Sequence, residues 1–129
     1  MLSTSTLSAR GSVTECHGVQ LRAQLRSFAT LVEVTGRLSP ANRDQVSRQL
    51  RRFALVGSAL VLDLLEASGV DRGFVRDLGA VADLTIVVDP ARRDDLAGDG
   101  SVAVVESVGE AMRTITGRLA ARRTLPVGG

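Results

Sequence analysis

Two short apolar runs constrain the fold of this chain more than any other feature of its sequence. Residues 59–65 and 84–89 each contain a single charged residue among mostly aliphatic neighbours. Strands of this composition are typical of parallel sheets that are covered by helices on both faces. Between the two runs, Val70, Phe74 and Leu78 recur at helical spacing. A strand, a helix and a strand in succession predict an α/β fold with right-handed crossover connections.

The chain before residue 59 predicts a hairpin and a first helix. Apolar and polar residues alternate over residues 19–26, and residues 31–35 form a second β-rich run. The two runs are close enough in sequence to pair as an antiparallel hairpin. Ser39 followed by Pro40 is typical of a helix N-terminus, with Ser39 as the cap. An apolar stripe over residues 46–53 then forms the buried side of that helix.

The chain after residue 89 predicts two more helices and one more strand. Pro90 begins a short helix, and residues 101–106 form a strand. Ser107 and Glu110 have the spacing of a capping box, which opens a last helix. The resulting order, β-β-α-β-α-β-α-β-α, predicts a mixed, mostly parallel sheet of about five strands with helices packed against it.

These elements lie within a single predicted domain, residues 18–124. Residues 1–17 are rich in Ser and Thr and lack periodicity, so we expect a disordered tail, and a second short tail over residues 125–129. The N-terminus has no hydrophobic stretch of the signal-peptide type. No apolar run approaches the roughly 20 residues of a membrane-spanning helix. We therefore expect a cytoplasmic protein that does not contact the membrane.

The composition leaves few options for catalysis. The chain has one Cys, one His and no Lys, because all 16 of its basic residues are Arg. Adjacent Cys16 and His17 are too few for a structural zinc site. The absence of Lys excludes a phosphate-loop lysine and a Schiff-base lysine. The sequence therefore predicts no catalytic residue, no metal site, no cofactor and no enzymatic activity.

Charge is distributed unevenly along the chain, although the net charge is only +2. Residues 40–54 contain four Arg and one Asp, a net charge of +3, whereas residues 63–83 contain five acidic residues and two Arg, a net charge of −3. This pattern favours a protein partner over direct binding of nucleic acid. The Arg48, Arg51 and Arg52 cluster could meet an acidic partner or a nucleotide phosphate, although exposed helix arginines often serve solubility alone.

Motifs in four places give the chain a family resemblance. They are Gly36-Arg-Leu-Ser39 before the first helix, Leu60-Val-Leu-Asp-Leu64 in the apolar run, Val88-Asp-Pro-Ala91, and Ser107-Val-Gly-Glu-Ala111 at the last helix. Together with the element order, they resemble the STAS domain of bacterial anti-sigma factor antagonists over residues 19–123. The family has Gly-x-Leu-Asp at the first of these places, so Ser39 stands where an Asp is usual.

The chain departs from this family at the motif that carries the family's regulation. Antagonists of this type have Asp-Ser-Ser-Gly-Leu at the start of the second helix, and its second Ser is phosphorylated by the anti-sigma kinase. Counted without gaps, the motif falls on Asp71, with Arg72, Gly73 and Phe74 in place of Ser-Ser-Gly. A five-residue deletion instead aligns it with residues 66–70, which makes Ser68 the phosphoacceptor candidate and the cap of the second helix. Both alignments remain open at this point.

The resemblance implies a regulatory protein-interaction module. It would bind an anti-sigma factor (a switch kinase) or another STAS protein, and a homodimer is also compatible with the family. With its motif degraded, the protein would bind constitutively or be switched through its Ser/Thr-rich tail. The alternative is a small-ligand or nucleotide sensor on the same fold. The residues expected at the contact surface are Asn42, Arg43, Glu66, Ser68, Gly69, Asp71, Arg72, Gly73 and Phe74.

Overall fold

The computed structural model describes residues 12–26, 29–55, 59–80, 83–97 and 102–124, with side chains described up to residue 117. Helices and strands alternate along these ranges. In chain order they are β1 (Ser12–Cys16), β2 (Val19–Arg26), β3 (Ala29–Arg37), α1 (Arg43–Ala54), β4 (Leu60–Ser68), α2 (Arg72–Gly79), β5 (Leu84–Val87), α3 (Pro90–Ala97), β6 (Ala103–Val105) and α4 (Val108–Thr124).

All six strands belong to one sheet, in which each strand lies beside the strand that precedes it in sequence. β1, β2 and β3 pair antiparallel, and the remaining neighbours from β3 to β6 pair parallel. The predicted α/β fold, the hairpin of β2 and β3 and the mostly parallel remainder are confirmed. The two apolar runs become β4 and β5, which lie inside the sheet with neighbours on both sides, as their composition requires.

The sheet has six strands instead of about five, because residues 12–16 form β1 and not part of a disordered tail. β1 pairs with β2 through a turn at His17 and Gly18, whose φ angles of +47° and +93° are those that a tight hairpin turn needs. Within β1 only Cys16 is buried, so the strand lacks the apolar alternation that marks β2. The flanking predictions of tails at residues 1–11 and 125–129 lie outside the described residues.

Each face of the sheet packs against different helices. On the first, which we call the three-helix face, α1, α2 and α3 cover a continuous core that includes Leu50, Phe74 and Leu96. On the opposite face, α4 covers a smaller apolar cluster through Ala111 and Ile115. Because α4 is the one described helix on this second face, we call it the α4 face. Its cluster draws on the strand residues Ala29, Leu31, Ala59, Val61, Val87 and Val105.

Part of the α4 face is left uncovered toward the C-terminal ends of β3 and β4. Side chains alternate along a strand, so Glu33 and Thr35 point to the same face as the buried Leu31. Glu33 pairs in register with Asp63, and Thr35 pairs with Glu66. The α4 face therefore changes along these two strands from an apolar cluster to an exposed acidic surface.

The first helix begins three residues later than Ser39 and Pro40 predict. α1 starts at Arg43 and follows a turn in which the backbone N–H groups of Asn42 and Arg43 donate to the Ser39 carbonyl oxygen, at 3.1 and 2.9 Å. The Ser39 side chain does not cap the helix; instead the Asn42 Oδ1 accepts from the Ser39 backbone N–H at 2.9 Å. The Asn42 side chain makes no capping hydrogen bond to α1 either, and its amide reaches two other segments of the chain.

Those segments are the β1–β2 turn and the end of β3. The Asn42 Nδ2 donates to the carbonyl oxygens of His17, at 3.1 Å, and Arg37, at 3.0 Å. Asn42 is only 3% exposed, so these partners satisfy a buried amide that has no access to water. Asn42 thus fixes the start of α1 against the antiparallel part of the sheet and is not available for contact with a partner protein.

The capping box predicted at the last helix is confirmed in its main part. The Glu110 backbone N–H donates to the Ser107 Oγ at 3.1 Å, and the Glu110 carboxylate accepts from the backbone N–H of Glu106 at 3.0 Å. α4 accordingly begins at Val108. Among the described helices, none combines the length and apolar character that crossing a bilayer demands.

We expect Asn42→Ala to destabilise the fold by about 1–3 kcal/mol, because it leaves partly buried backbone groups of three segments without this hydrogen-bond partner. The free energy of unfolding from urea denaturation measures the effect. Gln45→Ala, at an exposed position in the same helix, is the matched control and should change the stability by less than about 0.5 kcal/mol. An equal effect of the two substitutions would contradict the role assigned to Asn42.

Candidate protein-interaction site

The site begins at an irregularity in β4. Glu33 pairs with Asp63 and Thr35 pairs with Glu66, so two residues of β4, Leu64 and Leu65, stand opposite one residue of β3. This is a β-bulge, which bends the strand and redirects its side chains. By strand alternation Leu65 lies on the α4 face with Val61 and Asp63, where it is 41% exposed. The extra residue brings Glu66 to the same face, opposite Thr35, and turns Ala67 into the core of the three-helix face.

Arg92 of α3 stabilises the bulged strand. Its guanidinium donates to the carbonyl oxygens of Leu64, at 2.6 Å, and Ala67, at 2.7 Å. The Arg92 Nε also lies 3.3 Å from a carboxylate oxygen of Asp89, which holds the side chain in place. The sequence holds no local signal for this role of Arg92, because its carbonyl partners are 25 and 28 residues away.

Ser68 ends β4 and does not begin a helix. Its carbonyl oxygen accepts from the backbone N–H of Leu38 at 2.8 Å, and its side chain is exposed. The next residue, Gly69, has a φ of +76°, and a Cβ there would collide with the Leu38 carbonyl. The chain therefore needs residues 69–71 to turn from the strand into α2. The prediction that Ser68 caps the second helix is wrong, because α2 begins at Arg72 and Ser68 is still part of β4.

The cap of α2 is Asp71. Its Oδ1 accepts from the backbone N–H of Phe74 at 2.8 Å, which satisfies one of the free donors at the helix start. Arg43 of α1 pairs with the same carboxylate through both terminal nitrogens, at 2.8 and 2.9 Å. The Arg43 guanidinium also lies 5.5 Å from the centre of the Phe74 ring, within the range of a cation–π contact. These contacts join the starts of α1 and α2.

The ion pair changes the acid–base behaviour of both partners. The hydrogen bonds from Arg43, and then that from the Phe74 backbone N–H, lower the pKa of Asp71 from its ordinary 3.8 to about 2. The hydrogen bond with Asp71 raises the pKa of Arg43 in turn. Asp71 is therefore a carboxylate throughout the physiological range of pH.

Two further residues of α2 complete the site. The Arg72 side chain donates to the carbonyl oxygens of Asp95, at 3.0 Å, and Asp94, at 3.3 Å. These carbonyls belong to the last turn of α3, where they lack partners within the helix. Arg72 thus links the start of α2 to the end of α3.

Gly73 lies in the first turn of α2, two residues after the cap Asp71. A Cβ added there would lie 3.4 Å from Asp71 Oδ1, 3.7 Å from the Arg43 Nη2 and 4.0 Å from the Arg76 Nη2. This position therefore has room for a small side chain and lies beside two guanidinium groups, but it carries no hydroxyl of its own.

The structure brings the predicted contact residues together but does not expose all of them. Glu66, Ser68, Gly69, Asp71 and Arg72 are exposed, and Arg43 and Gly73 are half-buried. Asn42, at 3% exposed, and Phe74, at 4%, are buried. Our expectation of partner contact is wrong for these last two residues, which instead position the residues around them.

The other chemically reactive residues do not form a second site. Within the described ranges, no group of His, Cys, Asp and Glu is arranged to hold a metal ion. Cys16 is buried, and burial, together with the charge of Glu15, raises the pKa of its thiol. The thiol is therefore protonated at neutral pH and a weak nucleophile.

Comparison with known proteins gives one short similarity. No family model matches the chain. A stretch of 51 residues is 45% identical to Osmosensory protein A of Mycobacterium tuberculosis. The stretch covers 40% of this chain and 32% of the mycobacterial protein. The similarity is therefore local, and it leaves most of both chains unmatched.

We expect Asp71→Ala to destabilise the protein by about 1 kcal/mol through loss of the helix cap. Asp71→Asn keeps a capping oxygen but loses the charge, so its effect should be smaller. Because the pKa of Asp71 is lowered on folding, its contribution is present above pH 3.8 and is lost as the pH falls toward 2. The difference in unfolding free energy between the wild type and Asp71→Asn should therefore shrink over this window. A difference that is constant with pH would contradict the ion pair.

Proposed function

We propose that this protein is a STAS-type antagonist of an anti-sigma factor, and that it acts by binding the anti-sigma factor with the β4–α2 loop and the start of α2. The observation that carries the proposal is a surface that is exposed and yet held rigidly. Ser68 and Asp71 present their side chains to solvent while their segment is fixed to Leu38 and Arg43. A rigid surface binds with a smaller loss of conformational entropy than a flexible loop.

Binding is proposed to be constitutive, because the helix start lacks the group that a kinase would modify. Phosphorylation would add a charge of about −1.5 to −2 at the helix start. Gly73 cannot accept a phosphate, and Arg72 before it has no hydroxyl either. Ser68 remains a candidate acceptor through its exposed side chain, although it lies at the end of a strand.

The similarity to Osmosensory protein A supports a regulatory role. The name of that protein describes osmosensing, and the shared stretch is 45% identical. We propose that the present chain acts in a stress-responsive pathway, which makes osmotic stress the first condition under which to test it.

Native mass spectrometry of the protein with the anti-sigma factors of its host, with and without ATP, tests the proposal. We expect a complex with one of them and no phosphate on the wild-type chain. Ser68→Arg, which places a bulky cation at the centre of the surface, should raise the Kd at least about tenfold, or about 1.4 kcal/mol. Thr116→Arg, at an exposed position on α4, is the matched control and should bind as the wild type does.

Three results would contradict the proposal. Lack of a complex with any anti-sigma factor excludes the antagonist function, and stabilisation by a nucleotide alone would then favour the sensor alternative. A phosphate on Ser68 that weakens the complex would show that binding is switched and not constitutive. An equal loss of affinity in Ser68→Arg and Thr116→Arg would place the contact elsewhere.

A substitution that restores a hydroxyl provides an independent prediction. Gly73→Ser fits the space at the start of α2, where the nearest atom to its Cβ would be at 3.4 Å. If the anti-sigma factor is a kinase, we expect it to phosphorylate this variant in the presence of ATP and then to release it. Intact-mass measurement with peptide mapping would locate the phosphate. Failure of the variant to gain one, despite normal binding, would contradict the alignment of Gly73 with the family's phosphorylated Ser.

A further inference from the structure

A basic groove runs along the outward side of α1. This helix packs on the three-helix face through Val46 and Leu50. The groove has a volume of about 470 Å³ and is lined by Asp44, Ser47, Arg48, Arg51, Arg52 and Leu55. Leu55 is 86% exposed, more than the other exposed large hydrophobic residues that the structure describes. None of the three arginines forms an ion pair with a residue that the structure describes.

An acidic groove lies on the opposite side of the sheet. It has a volume of about 250 Å³ on the uncovered part of the α4 face and is lined by Glu33, Val34, Thr35, Asp63, Leu65 and Glu66. None of the three carboxylates is in an ion pair with another described residue. Leu65 is exposed among them, and the bulge in β4 brings Glu66 to the same face. Each groove therefore contains one exposed leucine and several charged side chains, mostly of one sign, that form no ion pair with a described residue.

The two grooves carry net charges of opposite sign. The basic groove has three Arg and one Asp, a net charge of +2. The acidic groove has three carboxylates and no basic residue in its lining, a net charge of −3. Complementary charge steers two surfaces together and fixes their orientation.

We propose that the acidic groove of one copy of this chain docks on the basic groove of a second copy. The grooves lie on opposite faces of the sheet, so they cannot pair within one molecule. Two copies joined in this way keep a free acidic groove at one end and a free basic groove at the other. The contact is therefore heterologous, and the copies add head to tail.

The charge of the remaining segments favours a second copy as the occupant of the basic groove. Residues 1–11 contain one charged side chain, Arg10, and residues 125–129 contain none. Neither terminal segment carries the negative charge that would complement the arginines. A net charge of +2 gives only weak repulsion between copies. Exposed charges attract weakly and are screened by salt, so the assembly forms at high protein concentration and low ionic strength.

Sedimentation velocity of the purified chain alone tests this proposal. At about 0.01 M salt, where the Debye length is about 30 Å, the average mass should rise with concentration beyond that of a dimer. At about 1 M salt, where the Debye length is about 3 Å, the chain should be monomeric. A chain that stays monomeric at low salt, or one that forms a dimer and never grows, would overturn the proposal.

Two neutralising variants give the decisive comparison. Arg48→Gln with Arg51→Gln removes charge from the basic groove, and Glu33→Gln with Glu66→Gln removes it from the acidic groove. Each double variant should be monomeric alone, and the equimolar mixture should form a dimer and nothing larger, because each partner retains one intact groove. Lack of a complex in the mixture would overturn the proposal.

A matched control separates groove chemistry from net charge. Arg26→Gln with Arg113→Gln changes the net charge as much as the basic-groove variant does, at exposed positions outside both grooves. This control should assemble as the wild type does, and loss of its assembly would mean that net charge alone governs association. Circular dichroism of every variant verifies the fold. Since no anti-sigma factor is present, the result is independent of the proposed antagonist function.

Discussion

The β4–α2 loop and the acidic groove are both positioned by the bulge in β4 and by the Arg92 guanidinium that stabilises it. A bulge interrupts the ladder of hydrogen bonds and leaves backbone carbonyls that need other donors. Arg92 supplies them for Leu64 and Ala67, so the strand can continue to Ser68 in a shifted register. The shift determines where the chain leaves the sheet for α2, and it also brings Glu66 to the acidic groove. One side chain from a different element thereby positions the start of α2 and the acidic groove together.

The elements that the sequence predicts well are those whose signals are local. β4 and β5 follow from their apolar runs, and α4 follows from a capping box four residues long. The starts of α1 and α2 are different, because each depends on contacts with distant segments. The Asn42 amide donates to carbonyls at residues 17 and 37, and Asp71, which caps α2 where Ser68 was expected, pairs with Arg43, 28 residues away. No local pattern contains these partners.

In the candidate site too, some features follow from the sequence and others only from the three-dimensional structure. The sequence places Glu66, Ser68 and Arg72 in one region, and the structure confirms that they lie together at the surface. The sequence also held the signal that Phe74 points inward, because Phe74 belongs to the apolar stripe of its helix, and it is buried accordingly. The sequence shows the arginines of α1 as a cluster, but it does not show the acidic groove that complements their charge. The acidic residues of that groove come from β3 and β4, and only the register of the sheet brings them together.

The strictly sequential order of the strands has a consequence for synthesis on the ribosome. Each new strand pairs with the edge formed by the strand before it, so the sheet can grow in the order in which the chain emerges. The three-helix face is covered during this growth, because α1, α2 and α3 each precede the next strand. The α4 face stays uncovered until α4 has been synthesised. Until that helix emerges, Leu31, Val61 and Val87 form an apolar patch in contact with water, and a nascent chain at this stage is the one that chaperones should recognise.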